Sequence, residues 1–566
     1  MELKIGGKIA LLLVILGLGL GALYKFGLLS DKAVGGLIAS KTIDKETLDK
    51  IRAGEETPTT AKNYNFVAKQ SITEVKGVSN YQFKDNTVVF PINIWGGWAP
   101  IVAANNGFGP NKDSVFFKEY GFQVDLKLID DPVAARDAFA AGQSHILWGT
   151  LDMIALFAPG LSRDSRTTPI VFQQIDWSNG GDGIVVRAHI NEAKDLRGKT
   201  IVLAQNSPSH YYILSVLTDA GISPREVTFM FTATAFEAAK AFVDNEKIDA
   251  CVSWAPDIYN VVDERYGGKK GGVAGARLLT TTRDASQLIA DVWAARADFA
   301  RDHRDIIKGL AAGIFKGYDL ARKDPDKTAA LMAKGFGVSA EEAKSMMGDA
   351  HLTNFAENKK FFFDKDNPAN FARTWAAASY VYKSYGSIGA PARAEEIADT
   401  SVLAELEGKF PHHKDEYIPA FNKVNISRMK LEGGPILTKA VMIQFPSNRW
   451  DLDRKYDGSI DNTLEEVAKL AGKFAGARIV IEGNVDTSRK IEFQREGPRV
   501  FKEMSLAVQE LSEKRADSVR SALQSRYKFN ANKLAVLGNG WDNPASLTDH
   551  AKNRRVEIKV YPPEAE

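Results

Sequence analysis

The sequence contains one cysteine, Cys251, in 566 residues. A single cysteine excludes an intrachain disulfide framework, a redox-active cysteine pair and a zinc site built from several cysteines. Cys251 lies in a mostly apolar run at 248–252. We therefore interpret it as a buried strand residue and not as a nucleophile.

An excess of charge of either sign is also missing. The 73 Lys and Arg residues and the 71 Asp and Glu residues leave a net charge of +2, which gives no reason to expect binding to nucleic acid. The catalytic patterns GxSxG and HExxH and a phosphate-binding loop are not found. We expect no enzymatic activity, no cofactor and no metal site.

The N-terminus has one long apolar run. Residues 9–24 carry no charge, and the apolar stretch to Leu29 approaches the roughly 20 residues that cross a bilayer. We predict a transmembrane anchor over residues 1–29 rather than a cleaved signal peptide, because no clear A-x-A site follows. Gly17 and Gly21 form a GxxxG pair that would let two copies pack as a homodimer. The run contains no carboxylate that could carry protons.

Patterning divides the remainder into three parts. Residues 30–86 are polar and weakly patterned, which is typical of a spacer. In residues 87–430, short β-like runs alternate with helical stretches, which predicts an α/β fold with two lobes. Residues 433–566 read as strand, helix, strand, long helix to Tyr527 and strand, which predicts a compact α+β domain.

Four C-terminal segments carry a specific resemblance. They are IVIEGNVD (479–486), LSEKRADSVRSAL (511–523), LAVLGNGWDNP (534–544) and NRRVEIKV (553–560). Together they resemble the OmpA-type peptidoglycan-binding domain. The resemblance implies that Asp486 and Arg515 clamp the diamino acid of a peptidoglycan stem peptide, with Asn553 and Arg554 closing the site. An anion and a guanidinium complement the ammonium and carboxylate of such a ligand, although an ordinary surface ion pair is the alternative.

The C-terminal part departs from the family pattern in two places. Gly483-Asn484-Val485-Asp486 stands where the family usually has Gly-His-Thr-Asp. In addition, 28 residues separate Asp486 from Arg515, about twice the family spacing. We expect the extra segment to form a loop or a helix extension over the pocket, where it could narrow the site, contact a partner or abolish binding.

The central part resembles periplasmic solute-binding proteins of the nitrate, sulfonate and taurine type. The resemblance rests chiefly on residues 195–222 (DLRGKTIVLAQNSPSHYYILSVLTDAGI) and 237–258 (EAAKAFVDNEKIDACVSWAPDI). It implies a two-lobed clamp. The predicted fold class is therefore an α/β two-lobed periplasmic-binding-protein clamp plus an α+β OmpA-like C-terminal domain, behind a single N-terminal transmembrane helix.

Ligands of open α/β sheets bind beyond the carboxyl ends of the strands, so polar and aromatic residues just after the predicted strands are the candidate solute contacts. These are Trp95, Trp98, Thr150, Asp152, Ser178, Asp182, Ser207, Ser209, His210, Trp254 and Asp257. The serines at the start of a helix are interpreted as caps or ligand donors rather than nucleophiles beside His210, and core packing is the alternative for each tryptophan. Residues 175–186 are predicted to cross between the lobes. The aspartates favour a cationic or zwitterionic solute.

The sequence thus predicts an envelope sensor or scaffold in the inner membrane, with most of the chain in the periplasm. Its expected partners are peptidoglycan, a small-molecule solute and the membrane, with a homodimer or a multi-span membrane protein as a further partner. Two alternatives remain. One is a stator-like subunit of an ion-driven motor, against which the missing membrane carboxylate counts. The other is a tethered receptor of an ABC importer.

Overall fold

The computed structural model describes residues 59–562, except 72–74, 76, 269–270, 418–434, 442, 444, 447–448 and 456. The predicted membrane anchor lies outside these residues. Within the described part, no helix has both the length and the apolarity needed to span a bilayer.

The strands of the described chain form four sheets. The strands are β1 Phe66–Val67, β2 Thr87–Ile92, β3 Gln123–Leu128, β4 Ile146–Thr150, β5 Pro169–Ser178, β6 Asp182–Val186, β7 Thr200–Ala204, β8 Thr228–Thr232, β9 Ala250–Trp254, β10 Arg277–Thr281, β11 Ala290–Arg296, β12 Ala350–Leu352, β13 Leu437–Val441, β14 Arg478–Gly483, β15 Leu534–Gly538 and β16 Val556–Tyr561. The alternation of strand and helix predicted from residue 87 onward is observed.

The helices mostly follow the strands in sequence. They are α1 Ala99–Asn105, α2 Val115–Tyr120, α3 Pro132–Ala140, α4 Leu151–Leu161, α5 Pro208–Asp219, α6 Ala235–Asp244, α7 Asp257–Asn260, α8 Ala297–Asp302, α9 Arg304–Lys323, α10 Pro325–Phe336, α11 Ala340–Met347, α12 Phe355–Phe363, α13 Phe371–Tyr385, α14 Ala394–Ile397, α15 Ser401–Glu405, α16 Ile460–Lys473, α17 Lys490–Arg495 and α18 Pro498–Tyr527.

The first lobe is built on the sheet β12-β5-β11-β4, with the parallel pair β2-β3 beside β4. The second lobe is built on the sheet β1-β8-β7-β9-β6-β10. Strand β9 lies between β7, to which it is parallel, and β6, to which it is antiparallel. It is buried along its whole length, because helices α5 and α6 pack against it. Cys251 lies in β9 and is buried, as predicted.

Besides the passage from β1 to β2, two chain crossings between the lobes lie in the described chain. The first runs from β5 to β6 and the second from β10 to β11. The first crossing lies inside the predicted segment 175–186. Thr282 Oγ1 of the second crossing accepts hydrogen bonds from the backbone N–H groups of Gly180 (2.9 Å) and Asp182 (3.1 Å) in the first. The two crossings therefore form one hydrogen-bonded hinge.

Part of the segment predicted as a spacer packs on the second lobe. Strand β1 adds to the edge of the sheet antiparallel to β8. Before it, Thr60 donates from its backbone N–H (2.9 Å) and from Oγ1 (2.6 Å) to the Asp257 carboxylate. After it, Gln70 and Gln205 exchange two hydrogen bonds of 2.7 and 3.1 Å. Residues 59–71 therefore form a strap along the lobe, and we call them the strap below.

The C-terminal domain is a four-stranded sheet of order β13-β16-β14-β15, packed against α16 and α18. It contacts the central domain directly. Lys473 forms a 3.0 Å ion pair with Asp219 at the end of α5, and both side chains are mostly buried. The backbone N–H of Gly476 donates to the carbonyl of Asp284 at 3.1 Å, and no side chain would fit at that glycine because the carbonyl oxygen of Arg283 is in the way.

Candidate functional site

The amino ends of two helices meet where the lobes face each other. Thr150 caps α4 in the first lobe, and Ser207 precedes Pro208 at the start of α5 in the second. Helix α13 packs against both helices. Its Tyr382 donates a 3.3 Å hydrogen bond to Oδ2 of Asp152. The sequence-predicted residues on the two helix ends therefore lie in one neighbourhood.

A cluster of four buried aspartates, three from the first lobe and one from the second, lies beside this neighbourhood. Asp291 on β11 is the cross-strand partner of Asp176 on β5 and of Thr150 on β4. The charges of Asp152, Asp176 and Asp182 all act on Asp291, whose pKa is raised well above its usual value by burial and by these neighbours. We call Asp152, Asp176, Asp182 and Asp291 the acidic cluster.

Burial shifts the other carboxyl groups of the cluster in the same direction. It raises the pKa of Asp152 to about 8 and that of Asp182 to about 7. It also raises the pKa of Asp176, which shares a hydrogen bond with Asp291. A carboxylate deprived of water and placed beside other carboxylates retains its proton. The acidic cluster therefore holds protons near neutral pH.

The three candidate tryptophans occupy different places. The indole N–H of Trp95 donates to Oδ2 of Asp176 at 3.2 Å, and the Trp95 ring covers Gly181 in the hinge. Trp98 is fully buried and stacks on Trp293, with ring centroids 4.6 Å apart. It belongs to the core of the first lobe. Trp254 packs edge-on against Phe236.

Several predicted contacts are already bonded within the protein. Ser178 Oγ donates to Oδ2 of Asp182 at 2.7 Å, and Ser207 Oγ donates to the carbonyl of Ala204 at 2.8 Å. Asp257 accepts the bonds from the strap. These side chains thus stabilise the hinge, the turn before α5 and the strap.

Four predicted residues contribute buried polar atoms that have no hydrogen-bond partner in the described chain. These atoms are Asp152 Oδ1, Ser209 Oγ, His210 Nε2 and Trp254 Nε1. His210 Nδ1 accepts a 3.4 Å bond from the backbone N–H of Asn206, so its Nε2 carries the hydrogen. Burial lowers the pKa of His210 to about 3, which keeps the ring neutral. The four atoms come from both lobes.

Sequence reasoning missed Asp176, Asp291 and Tyr382. Asp176 stands two residues before Ser178 in the predicted crossing, so its position was a usable signal. Asp291 begins an apolar strand, and only the antiparallel pairing with β4 and β5 shows that it faces the cleft. Tyr382 comes from a helix more than 200 residues away from Asp152, and no local pattern links them.

Some of the predicted wall-binding residues can contact a ligand, and others hold the surrounding structure. The guanidinium of Arg515 donates to the carbonyls of Arg449 (3.1 Å) and Pro446 (3.3 Å), and its Nη1 has no partner in the described chain. Burial lowers the pKa of Arg515 to about 10, while the Asp486 charge opposes that shift. Asp486 and Arg515 are therefore near neighbours without a direct hydrogen bond.

The two predicted residues before the last strand have different roles. Arg554 is half-exposed and lies 3.9 Å from Asp486. Asn553 is fully buried and holds a loop, because its side chain accepts from the backbone N–H of Ser546 (2.9 Å) and donates to the carbonyl of the same residue (2.7 Å).

The extra segment between Asp486 and Arg515 forms α17 and the amino-terminal extension of α18. Phe501 stacks on Trp541 with ring centroids 5.7 Å apart, and Phe493 covers the same ring at 6.1 Å. Lys490 pairs with Asp542 at 3.2 Å. The segment is thus anchored on the loop after β15, and it is the helix extension that the spacing predicted.

One group of side chains in the described chain has ligand atoms close enough together to hold a metal ion. Asp319, His412 and His413 bring one ligand atom each within 4.8 Å of one another. However, Nδ1 of His413 accepts the backbone N–H of Phe355 at 3.1 Å, so the hydrogen must sit on Nε2, which donates to Asp319 at 3.0 Å. A metal at Nε2 would break that arrangement, and we interpret the group as a hydrogen-bonded brace.

Two family models match the chain. Residues 108–328 match the family described as NMT1/THI5 like, and residues 444–557 match the OmpA family. Both predicted resemblances are confirmed, including their order in one chain.

Two curated relatives correspond to these two parts. The taurine-binding periplasmic protein of Escherichia coli (strain K12) is 29% identical over 218 residues, which cover 38% of this chain and 62% of that protein. Outer membrane protein Omp38 of Acinetobacter baumannii is 30% identical over 126 residues, which cover 22% of this chain and 30% of that protein. The chain thus spans less than two thirds of either relative. The relative of the central part is a binding protein, in agreement with the expectation of no enzymatic activity.

Among solved structures, the alkanesulfonate-binding protein SsuA from Xanthomonas axonopodis pv. citri bound to MOPS aligns with 57% of this chain and 100% of its own. The TM-score is 0.42 and the sequence identity is 12%.

Proposed function

We propose that this chain, in which an NMT1/THI5-like domain is followed by an OmpA-family domain, is a cell-envelope protein that binds a small solute between its two lobes and peptidoglycan through its C-terminal domain. In this proposal the N-terminal apolar run anchors the chain in the inner membrane. The protein then acts as an envelope sensor or scaffold.

One observation carries the solute-binding part. Buried polar atoms in folded proteins are almost always hydrogen-bonded, and leaving one unpaired costs about 1–3 kcal/mol. Here four such atoms lie on residues at strand ends and helix starts of both lobes, where ligands of open α/β sheets bind. A solute that pairs with them would bridge the lobes and favour the closed clamp.

The wall-binding part is supported by Nη1 of Arg515, which has no hydrogen-bond partner among the described residues and lies near Asp486. A stem-peptide carboxylate at Nη1 and an ammonium at Asp486 would pair both charges. The extra segment packs on Trp541 rather than on Arg515, so nothing in its described contacts fills the guanidinium site.

The solute-binding part is tested by thermal unfolding of the detergent-purified full chain with amines, sulfonates, nitrate, pyrimidines and phosphate. A ligand at about 100 times its dissociation constant stabilises the native state by about 2.7 kcal/mol. A reproducible rise in Tm with one class supports the proposal, and no rise with any class contradicts it.

The wall-binding part is tested by co-sedimentation with purified peptidoglycan sacculi. We expect Asp486→Asn to weaken binding at least about tenfold, because a hydrogen bond to a charged group contributes about 1.5–3 kcal/mol. Asp542→Asn is the matched control, since that carboxylate lies on the neighbouring loop and is 81% exposed. Equal sedimentation of both variants and the unmodified chain would contradict the assignment of Asp486.

A further inference from the structure

We propose that the solute taken up between the lobes is a small organic cation, whose ammonium group is held by the acidic cluster. This inference rests on the proposed solute-binding function and names the chemical class of its ligand. It differs from the sulfonate named for the SsuA structure, because the charged groups collected at this cleft are anionic.

The cluster is assembled by the sheet of the first lobe and the hinge. Asp176 and Asp291 are direct cross-strand partners on β5 and β11. Asp152 stands in the first turn of α4, after β4, and Asp182 begins β6 on the far side of the hinge. All four side chains are at most 4% exposed. Four buried carboxyl groups from four elements therefore converge at the junction between the lobes.

The protein supplies little positive charge to this cluster. The groups that shift the pKa of Asp152, Asp182 and Asp291 are other carboxyls, hydroxyl donors and a backbone N–H, with no lysine or arginine among them in the described chain. The charge of His351 acts on Asp176. Buried carboxylates are normally paired with a cation. A cationic ligand would provide the missing partner.

An unpaired oxygen marks where the ammonium would sit. Within the described chain, Asp152 Oδ1 is buried without a hydrogen-bond partner, while Oδ2 of the same carboxyl accepts from Tyr382. Oδ2 of Asp176 accepts from the indole N–H of Trp95 at 3.2 Å. An ammonium has donors but no acceptor, so it satisfies carboxylate oxygens that an anionic ligand would repel.

A cavity at the mouth of the cleft has the same sign of charge. It measures about 460 Å³ and lies between Pro256, Tyr259 and Asn260 of the second lobe and helix α11 of the first. Glu341 of α11 and Asp349, which follows the helix, are among its lining residues. The charge of Asp349 acts on Asp182, so the mouth adjoins the cluster. A cleft lined by charge of one sign concentrates ligands of the opposite sign. Arg283 also lies near the mouth and partly offsets Asp349.

Binding of the organic cation should release protons from the acidic cluster. The cluster retains protons near neutral pH, and a bound ammonium would displace at least one of them. The titratable groups that face the cluster from the surrounding elements are Tyr211, Tyr212, Tyr259, His351, Asp349 and Tyr382. Burial raises the pKa values of the four tyrosines above 10, so these hydroxyls keep their protons between pH 6 and 8.

The test compares two probes of equal length and opposite charge, n-butylammonium and n-butanesulfonate, together with taurine, which carries both groups. Each is titrated into the detergent-purified full chain, and its binding is measured by calorimetry and by the shift in Tm. The same titrations are made with Asp152→Asn and with Asp284→Asn. Asp284 is a matched control because its carboxyl is also buried with a raised pKa, but it is bonded to Thr280 and Thr281 outside the cluster.

We expect n-butylammonium and taurine to bind the unmodified chain and Asp284→Asn, and to bind Asp152→Asn at least tenfold more weakly. Binding of n-butanesulfonate without n-butylammonium would overturn the cation inference while leaving solute binding intact. Binding of none of the three probes would contradict both. If Asp152→Asn does not fold, Asp182→Asn replaces it, and unchanged n-butylammonium affinity in a folded variant would also overturn the inference.

Discussion

Asp152→Asn should stabilise the ligand-free protein, and the gain should grow with pH. An aspartate in an unfolded chain has a pKa of about 3.9, whereas burial raises the pKa of Asp152 to about 8 in the folded chain. Below pH 4 the carboxyl is protonated in both states and contributes no penalty. As the pH rises towards 8, the unfolded state ionises while the folded state must keep its proton, so stability is lost.

The size of this penalty follows from the pKa difference. Each pH unit between the two pKa values costs about 1.4 kcal/mol. At pH 7 the interval is about 3 units, which gives an upper value of about 4 kcal/mol. Asparagine resembles the protonated acid in shape and can still accept the hydrogen bond from Tyr382. The substitution should therefore remove the ionisation penalty, while its amide nitrogen takes the place of an oxygen that already lacks a partner in the described chain.

The assay is urea unfolding of the full chain and the variant, followed by tryptophan fluorescence at pH 5, 6, 7 and 8. The expected result is a difference in unfolding free energy that increases with pH by up to about 1.4 kcal/mol per unit. Asp284→Asn should show a smaller rise, because its folded pKa is about 6. A difference that stays constant across this pH range would refute the reasoning.

Three further predictions concern the hinge, the strap and β9. Gly181→Ala should weaken solute binding by about 1–3 kcal/mol, because the added methyl group would collide with the Trp95 ring. Calorimetry measures this change. Unchanged affinity would show that the ring does not close on the hinge. Thr60→Val should lower the unfolding free energy by about 1.5–3 kcal/mol through loss of its 2.6 Å hydroxyl bond to Asp257, whereas Thr60→Ser should not. Cys251 should resist thiol reagents in the native protein and react on unfolding, since burial raises the pKa of its thiol; rapid labelling of the native chain would contradict its position in β9.

The sequence predicted the element order well because each element carries a local signal. Periodicity predicts the long helix that ends at Tyr527, and the sequence motif predicts the strand before Asp486. The structure places them at α18 and β14. The crossing at 175–186 was predicted from its glycines, and it connects the two sheets. Such features depend on residues close together in the chain.

The contacts of individual side chains were less predictable. Trp95 and Trp98 stand three residues apart, yet one covers the hinge and the other stacks on Trp293 in the core. The role of Trp98 depends on β11, about 195 residues later, whereas Trp95 depends on Asp176 of β5 and on the hinge. The polar composition of the strap predicts a spacer, because nothing in it indicates Asp257 as a hydrogen-bond partner. Long-range pairing of this kind leaves no trace in a local pattern.

The most direct test of the proposed clamp is the number of protons exchanged when n-butylammonium binds. Calorimetric titration of the full chain at pH 7 in two buffers of different ionisation enthalpy gives this number. Displacement of protons from the acidic cluster predicts net release, which should fall in Asp152→Asn. Net uptake of protons, or no exchange and no heat of binding, would contradict a cation-binding cleft at these four aspartates.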